Sequence, residues 1–329
     1  MNIKKICVLG GSGFVGRHIV HRLAAQGYEV RVLTRRRERS KDLIVLPTVD
    51  VVEANVHDPL ELKRQFDGMD AAINLVGILH EKTASRVDKP LARRGDFQAA
   101  HIELPRKVAH ACAEAGVQRL LHMSALGADA TGQSAYQRSK GIGEALLREA
   151  GSTHSEHENW YLNGPKFVRG QGLAVTIFRP SVIFGAEDNF LNLFARLLKR
   201  LPVLPLANAR ARFQPVYVED VAHAYVSSLA DPATFGQTYD LCGPKAYTLL
   251  ELVKYVAALA GHRRPIVPLG DRLSYLQALL LEFVPGKLMT RDNYYSMKTD
   301  NVCACPFPPV FGIQPTALEA VAPAYLARR

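Results

Sequence analysis

A glycine-rich segment near the start of the chain constrains the fold more than any other feature. Residues 10–16 read GGSGFVG, directly after the apolar run 6–9, and their last residues open an amphipathic stretch that begins at Val15. A strand, a tight glycine turn and a helix in this order are typical of a βαβ unit whose turn approaches a phosphate. The alternative is a glycine-rich turn that binds no ligand.

Short apolar runs alternate with amphipathic stretches through the first half of the chain. The pattern predicts strands at residues 6–9, 30–34, 49–54, 71–76, 119–123 and 174–179, and helices at 15–25, 59–66, 102–115 and 136–148. Strands that alternate with helices build a parallel sheet with helices on both faces. We therefore expect an α/β protein with a doubly wound parallel Rossmann sheet and a smaller C-terminal α+β substrate lobe.

The regular alternation loosens after Pro180. The predicted division is a nucleotide-binding Rossmann domain at 1–185, to which 213–245 return, and a smaller substrate or capping lobe at 186–212 and 246–329. Residues 151–171 are polar and aperiodic, and they are longer than an ordinary connection. We expect a solvated loop there, away from the active site, with a partner contact around Trp160 as the alternative.

Charge and cysteine content limit the expected partners and compartment. The 329 residues carry a net charge of +10, but no aromatic residues interleave with the basic cluster at 35–41, so nucleic acid is not an expected partner. Five cysteines without a CxxC motif predict reduced thiols in a cytoplasmic protein, and no metal site is expected. No transmembrane segment is expected. Peripheral attachment to the inner face of the membrane is the alternative location.

The glycine segment (residues 10–16) has the expected features of a dinucleotide site. Gly10 permits the tight turn, Gly13 lets the backbone approach a pyrophosphate, and Gly16 allows the helix to pack close to the sheet. Backbone amides at the helix start then bind the phosphates. The other expected phosphate-binding residues are Ser12, Phe14 and Val15.

The end of the second predicted strand distinguishes the two nicotinamide dinucleotides. An NAD site commonly has an acidic residue there, whereas this chain has Thr34, Arg35 and Arg36. A guanidinium group favours a 2′-phosphate, so we predict NADP(H) as the cofactor. Arg35 is the first expected phosphate ligand and Arg36 the second. NAD(H) remains the alternative cofactor, and a solvated face is the alternative for some of these arginines.

The ends of the third and fourth predicted strands supply further expected cofactor contacts. Asn55 and Val56 follow the third strand, where an adenine ring packs against the sheet. Asn74, Leu75, Val76 and Gly77 lie at the end of the fourth strand, where the backbone passes the adenosine ribose. These positions predict the adenosine half of the site.

Tyr136 and Lys140 lie four residues apart at the start of the helix predicted after the fifth strand. Residues at this spacing share a helix face, so both side chains can reach a nicotinamide ribose. A nearby ammonium and a cationic ring favour a phenolate, which predicts Tyr136 as a catalytic acid or base. Lys140 and Ser124 are the other catalytic candidates, and Met123 is a further expected cofactor contact. A packed tyrosine and a surface lysine are the alternative.

Four motifs resemble those of the extended short-chain dehydrogenase/reductases. They are GGSGFVG at 10–16, YQRSK at 136–140, FRPSVIFG at 178–185 and VEDVAHA at 218–224. Three further motifs resemble the atypical branch that contains the Rossmann-type accessory subunit of respiratory complex I and its bacterial relatives. These are INLVG at 73–77, LLHMSALGA at 120–128 and RPSVIFGAEDNF at 179–190. The resemblance implies that Pro180, Ser181 and Val182 lie against the nicotinamide, with backbone amides that bind its carboxamide.

The chain departs from the catalytic pattern of that family at two positions. Ser124 stands one residue early, and His101 stands where an asparagine is expected. These departures favour an NADP(H)-binding protein with a structural or regulatory nucleotide, a respiratory-complex partner or a quinone-related role. Tyr136 and Lys140 favour the alternative, an active NADP-dependent reductase, dehydrogenase or epimerase that acts on a small or nucleotide-linked carbonyl or hydroxyl substrate.

Overall fold

The computed structural model describes residues 1–81, 95–152, 172–284 and 288–327. The chain divides into two compact units, which we call unit 1 and unit 2. Unit 1 comprises Met1–Ser124, Ser139–Phe178 and Ala222–Tyr239, and unit 2 comprises Ala125–Arg138, Arg179–Val221 and Asp240–Arg329. The loop predicted at 151–171, with Trp160, lies almost entirely outside the described residues. The substrate-binding role of the smaller lobe stays a prediction.

The central element of the fold is a parallel sheet. The strands of the described residues are β1 (Lys5–Leu9), β2 (Glu29–Thr34), β3 (Val49–Glu53), β4 (Ala71–Asn74), β5 (Arg119–Met123), β6 (Ala174–Pro180), β7 (Ile183–Phe184), β8 (Leu204–Leu206), β9 (Arg212–Phe213), β10 (Val216–Tyr217), β11 (Thr238–Leu241), β12 (Tyr247–Thr248) and β13 (Ile266–Pro268). Seven of these described strands form one sheet in the order β11-β6-β5-β4-β1-β2-β3. The predicted α/β class with a doubly wound parallel sheet is confirmed.

Helices connect these strands. The helices of the described residues are α1 (Phe14–Ala25), α2 (Lys41–Ile44), α3 (Pro59–Phe66), α4 (Leu104–Ala115), α5 (Ala135–Gly151), α6 (Leu191–Arg200), α7 (Val218–Ser228), α8 (Leu249–Leu259), α9 (Asp271–Leu281), α10 (Arg291–Ser296) and α11 (Leu318–Leu326). A π-helical turn at Gln98–Glu103 leads into α4. Among the described helices, none is long and apolar enough to cross a bilayer.

The order of the strands puts a topological switch point beside the glycine segment. The chain passes from β1 through α1 to β2 and β3, and β4 then pairs with the opposite edge of β1. Loops that follow β1 and β4 therefore leave the sheet in opposite directions. Open parallel sheets bind ligands outside the carboxyl ends of the strands at such a switch point.

Each unit has its own apolar core. The core of unit 1 includes Leu9, Phe66 and Leu120, none of which is exposed to solvent. The core of unit 2 includes Phe184 and Leu252, which are equally buried. Complete burial of one such side chain contributes about 1.5–3 kcal/mol. Strands β1 and β5 are therefore held in place by the apolar core of unit 1.

Arg119 is a buried arginine that sequence reasoning missed. Its side chain, at the start of β5, is inaccessible to solvent. The guanidinium donates to the carbonyl oxygens of Ala174, Ser228 and Leu229 at 2.8, 2.7 and 3.1 Å. It also donates to two threonine hydroxyls, those of Thr176 and Thr234. Arg119 thus ties β5 to β6 and to the segment after α7.

The expectation that every cysteine is reduced is wrong for one pair. Cys242 and Cys303 form a disulfide, with their Cα atoms 6.0 Å apart. The two residues are separated by 61 positions in the sequence, and neither belongs to a recognisable motif. The pairing arises because the segment at Asn301 lies beside β9, where it forms a bridge with Phe213. Cys7 and Cys112 are buried free thiols, and Cys305 is an exposed one.

Candidate functional site

The glycine segment makes a turn that disfavours side chains at Gly10, through its positive φ, and at Gly16, through close backbone contacts. Gly10 has φ +79°, and a Cβ atom there would lie 3.2 Å from the carbonyl carbon of Leu75. A Cβ atom on Gly16 would lie 2.6 Å from the Cα atom of Gly11 and closer still to the Gly10 carbonyl oxygen. The Gly13 amide donates to that oxygen at 3.0 Å. The start of α1 therefore packs directly on the turn, as the sequence predicts.

The first turn of α1 has features that favour an anion. Gly13 is the N-cap residue, no side chain caps the helix, and no acidic residue occupies its first turn. The first amides of a helix have no acceptor within the helix, and the helix dipole makes this end positive. Phe14 and Val15 supply such amides. The arrangement fits a diphosphate group.

Thr34 links the end of β2 to the glycine segment. Its buried hydroxyl lies 3.3 Å from the Ser12 hydroxyl, and it accepts a hydrogen bond from the Arg36 amide at 3.4 Å. The side chains of Arg35 and Arg36 are exposed beside it. Thr34 therefore organises the turn that presents the two predicted phosphate ligands.

Arg35 belongs to a positively charged group at the carboxyl ends of β2 and β3. Burial and the charge of Lys107 lower the pKa of the His57 imidazole, and the charge of Arg35 lowers it further, while Glu103 opposes them. Lys107 also donates to the His57 carbonyl oxygen at 2.6 Å. The positive potential at this position favours a phosphate over an uncharged ribose hydroxyl.

The loops after β3 and β4 are held by two asparagines. Asn55 is exposed, and its side-chain oxygen accepts from the His57 amide at 3.1 Å, while the following Val56 packs on the unit 1 core. Asn74 is buried, and its side-chain oxygen accepts from the Val76 amide at 3.2 Å. Asn74 lies within the INLVG motif, and it is a positioning residue that fixes the start of the loop after β4.

His101 holds the loop after β4 with both ring nitrogens. Nε2 accepts from the Ile78 amide at 3.1 Å, and Nδ1 lies 2.9 Å from the Ser139 hydroxyl. Because Nε2 is an acceptor, Nδ1 carries the proton and donates to Ser139. Burial lowers the pKa of His101 to about 2, with contributions from the charges of Lys140 and His122, so the ring is neutral. His101 therefore has a structural contact where the family pattern expects an asparagine.

Lys140 is buried against the loops after β4 and β5. Its ammonium donates to the Met123 carbonyl oxygen at 3.1 Å, and a Cβ atom on Gly77 would lie 3.2 Å from Nζ. Burial lowers the pKa of Lys140 to about 8, and the charge of Glu144 opposes this shift. The predicted residues Gly77, Met123 and Lys140 are thus brought together in unit 1.

Ser124 presents a buried hydroxyl at the end of β5. Its amide donates to the Phe178 carbonyl oxygen at 2.7 Å, which continues the pairing with β6. Its Oγ atom is buried and has no hydrogen-bond partner among the described residues. An unsatisfied buried hydroxyl is unfavourable by about 1–3 kcal/mol. A bound ligand with a polar atom at this position would satisfy it.

Tyr136 lies in the first turn of α5. The amides of Ala135 and Tyr136 donate to the two carboxylate oxygens of Asp292 at 2.6 and 3.1 Å, so a distant residue caps this helix. Burial raises the pKa of the Tyr136 phenol to about 12. With this pKa the side chain of Tyr136 is a neutral phenol at neutral pH, whereas the sequence favoured a phenolate.

The loop after β6 uses its amides within unit 2. Pro180 has no amide hydrogen, and the Ser181 amide donates to the Leu241 carbonyl oxygen at 2.9 Å. The Val182 amide donates to the side-chain oxygen of Asn301 at 3.1 Å. The carboxamide contact that the resemblance implies for these residues stays a prediction, and both candidate donors have protein acceptors.

A second Tyr-x-x-x-Lys spacing occurs at Tyr294 and Lys298, and it belongs to a different cluster. The Tyr294 hydroxyl donates to Asp271 at 2.6 Å, and the Lys298 ammonium lies 3.4 Å from the same carboxylate. The Lys298 ammonium also lies 4.7 Å from the centre of the Tyr294 ring. These contacts join α9 to α10, which gives the pair a structural explanation.

Comparison with known proteins identifies the family. Residues 6–242 match the sequence model of the NAD dependent epimerase/dehydratase family. The chain belongs to this family. The predicted relationship to extended short-chain dehydrogenase/reductases is therefore confirmed.

Two relatives of this chain are named for different functions. NADH dehydrogenase (ubiquinone) 1 alpha subcomplex subunit 9, a mitochondrial protein of Mus musculus, is 30% identical over 326 residues, which cover 95% of this chain and 77% of that protein. Ceramide reductase of Caulobacter vibrioides is 27% identical over 270 residues, which cover 81% of this chain and 74% of that protein. The predicted likeness to the complex I accessory subunit is confirmed.

A solved structure agrees with the fold. An NADPH-dependent quinone oxidoreductase of Escherichia coli, solved with NADPH, has a TM-score of 0.69 at 18% identity, and the alignment covers 98% of this chain and 99% of that chain. At this identity the likeness shows the fold alone. The name of the matching family, NAD dependent epimerase/dehydratase, makes a nicotinamide dinucleotide the ligand class of the family.

Proposed function

We propose that this family member binds NADP(H) as a structural or regulatory ligand and takes part in a respiratory complex or in quinone-related chemistry. The observation that carries the nucleotide part is the start of α1, where amides without a side-chain cap lie beside a turn that needs glycine at positions 10 and 16. The positive charges of Arg35 and Lys107, on either side of a neutral His57, support the 2′-phosphorylated form. The bound nucleotide would supply a hydride donor or acceptor, whereas the chain supplies its binding and orientation.

Removal of the Arg35 guanidinium is expected to alter the choice between dinucleotides. Because charge-assisted hydrogen bonds contribute about 1.5–3 kcal/mol each, Arg35→Ala should weaken NADPH binding about 10- to 100-fold and leave NADH binding within about twofold. Calorimetric titration of both dinucleotides at one ionic strength measures this. Arg39→Ala, in the same exposed cluster, is the matched control and should change neither affinity. Equal losses for NADH and NADPH would refute the phosphate contact.

The proposed role in a respiratory complex rests on the relatives and on His101. Subunit 9 proteins of mitochondrial NADH dehydrogenase match most of this chain, as in the Mus musculus protein. His101 uses both ring nitrogens in contacts with Ile78 and Ser139, which supports a binding role over turnover. The predicted peripheral location at the inner face of the membrane belongs to this proposal. Cross-linking in membranes should recover NADH dehydrogenase subunits, and recovery of none would oppose it.

The second candidate function is an active NADP-dependent reductase, dehydrogenase or epimerase. Tyr136 and Lys140 lie four residues apart on α5, and the unsatisfied Ser124 hydroxyl is available to a ligand. Ceramide reductase is a relative of this kind. A small carbonyl compound, a nucleotide-linked sugar or a quinone would be the substrate class.

A turnover assay separates the two functions. We expect NADPH-loaded protein to oxidise no NADPH above the protein-free rate with a panel of carbonyl compounds and quinones, followed by NADPH absorbance. We also expect Tyr136→Phe to bind NADPH within about threefold of the wild type, because loss of one neutral hydrogen bond has about this effect. Oxidation that disappears in Tyr136→Phe would establish the enzymatic alternative.

A further inference from the structure

We propose that the side-chain carboxamide of Asn301 forms the hydrogen bonds that the carboxamide of the nicotinamide ring would otherwise form. The inference rests on the proposed dinucleotide binding and deepens it. It means that the affinity of this chain for NADP(H) comes from the phosphorylated adenosine and diphosphate parts, whereas the ring contributes little.

The side chain of Asn301 is bound at both its oxygen and its nitrogen. Oδ1 accepts from the Ser181 hydroxyl at 2.6 Å and from the Val182 amide at 3.1 Å. Nδ2 donates to the Leu126 carbonyl oxygen at 3.3 Å. The asparagine therefore joins the loop after β5 to the loop after β6, both within unit 2.

The backbone of Asn301 fixes the side chain in this position. Its amide donates to the Arg212 carbonyl oxygen at 2.9 Å, and its carbonyl oxygen accepts from the Gln214 amide at 3.0 Å. Two residues further on, the Cys303 amide donates to the side-chain oxygen of Gln214 at 3.0 Å, and Cys303 forms the disulfide with Cys242. The backbone of Asn301 is thus held beside Phe213 of β9, with which it forms a bridge.

The chemistry of the two carboxamides is the same. Each has one carbonyl oxygen that accepts and one NH₂ group that donates. The Val182 amide has one hydrogen, which is directed to Asn301, and the Ser181 amide donates to Leu241. A ring carboxamide would have to displace Asn301 and break its contacts with Ser181, Val182 and Leu126. The exchange replaces equivalent hydrogen bonds, so it adds little net binding free energy.

The test compares NADPH with 2′-phospho-ADP-ribose, which lacks only the nicotinamide ring. Wild-type protein should bind the two ligands within about threefold of each other in calorimetric titrations. Asn301→Ala frees the Val182 amide, while the Ser181 hydroxyl keeps the backbone carbonyl oxygen of residue 301 as an acceptor at 3.1 Å. NADPH should therefore bind about three- to tenfold more tightly than to the wild type. The affinity for 2′-phospho-ADP-ribose should not change.

Two further variants separate this effect from loosening of the protein. Asn301→Asp keeps an oxygen acceptor opposite the Val182 amide, so it should produce no gain for NADPH. Asn293→Ala removes a residue of the capping box at the start of α10 without a contact to Ser181 or Val182, and it should also produce no gain. Unfolding midpoints measured for every variant confirm that the compared proteins are folded.

The outcomes distinguish failure of this inference from failure of the proposed function. A wild-type preference for NADPH of more than about tenfold would overturn the inference without any variant. Equal changes for both ligands in Asn301→Ala, or a loss confined to NADPH, would also overturn it. If wild-type protein bound neither NADPH nor 2′-phospho-ADP-ribose, the proposed nucleotide binding itself would be wrong.

Discussion

Gly13→Asp is expected to abolish measurable NADPH binding while the protein stays folded. Gly13 is the N-cap residue of α1, where aspartate is among the preferred residues, so the helix should be as stable as before or slightly more stable. A Cβ atom at this position would lie 3.2 Å from the Gly10 carbonyl oxygen, which a small shift can relieve. The new carboxylate would face the diphosphate, and two like charges about 4 Å apart repel by about 4 kcal/mol near a protein surface.

We therefore expect the NADPH affinity of Gly13→Asp to fall by at least about 100-fold, which equals about 2.7 kcal/mol. Calorimetric titration measures the affinity, and urea unfolding should show a free energy of unfolding within about 1 kcal/mol of the wild type. Gly270→Asp is the matched control, because Gly270 is the N-cap of α9 and has open space around it. Gly270→Asp should bind NADPH normally. Unchanged NADPH binding by Gly13→Asp would contradict the proposed phosphate site.

Arg119→Met is expected to lower the free energy of unfolding by about 3–5 kcal/mol. Methionine fills much of the same volume but removes the guanidinium donors of the Ala174 and Leu229 carbonyl oxygens and of the Thr176 hydroxyl, and it leaves Ser228 with the Thr234 hydroxyl alone. Each buried acceptor that loses its partner is unfavourable by about 1–3 kcal/mol. Since small domains are stable by only about 5–15 kcal/mol, a large fraction of the folded stability should be lost.

Urea unfolding followed by circular dichroism measures this loss. Arg64→Met is a suitable control, because Arg64 is exposed and pairs with Glu61 on the surface of α3. A surface pair of this kind contributes about 0–1 kcal/mol, so the control should be almost as stable as the wild type. If Arg119→Met differed from the control by less than about 1 kcal/mol, the hydrogen bonds of Arg119 would not be important for the stability of unit 1.

Local sequence signals were sufficient for the elements that carry the nucleotide site. Helix α3 has the predicted bounds because Asp58 caps it, its side chain accepting from the Leu60 amide at 3.0 Å, and Pro59 occupies the first helical position. The glycine segment was predictable because turn, strand and helix are adjacent in sequence. By contrast, helix α4 begins two residues later than predicted, since the π-helical turn at Gln98–Glu103 replaces its start.

The features that sequence reasoning missed depend on contacts between distant residues. Arg119 reads as the polar edge of a strand, although its partners come from residues 174–234. Asp292 caps α5 from 156 positions away, and Asn301 contacts Ser181 from 120 positions away. No local pattern distinguishes such residues from ordinary polar residues, because only the folded chain brings them to their partners.

The central claim is that amides of the glycine segment bind the diphosphate of NADP(H). A crystal structure of the wild-type protein grown with NADPH tests it most directly. We expect diphosphate oxygens at about 2.7–3.2 Å from the backbone nitrogens of Phe14 and Val15, with the 2′-phosphate at Arg35. A diphosphate bound elsewhere on the chain, or protein atoms that fill the crevice beside Gly10 at saturating NADPH, would contradict it.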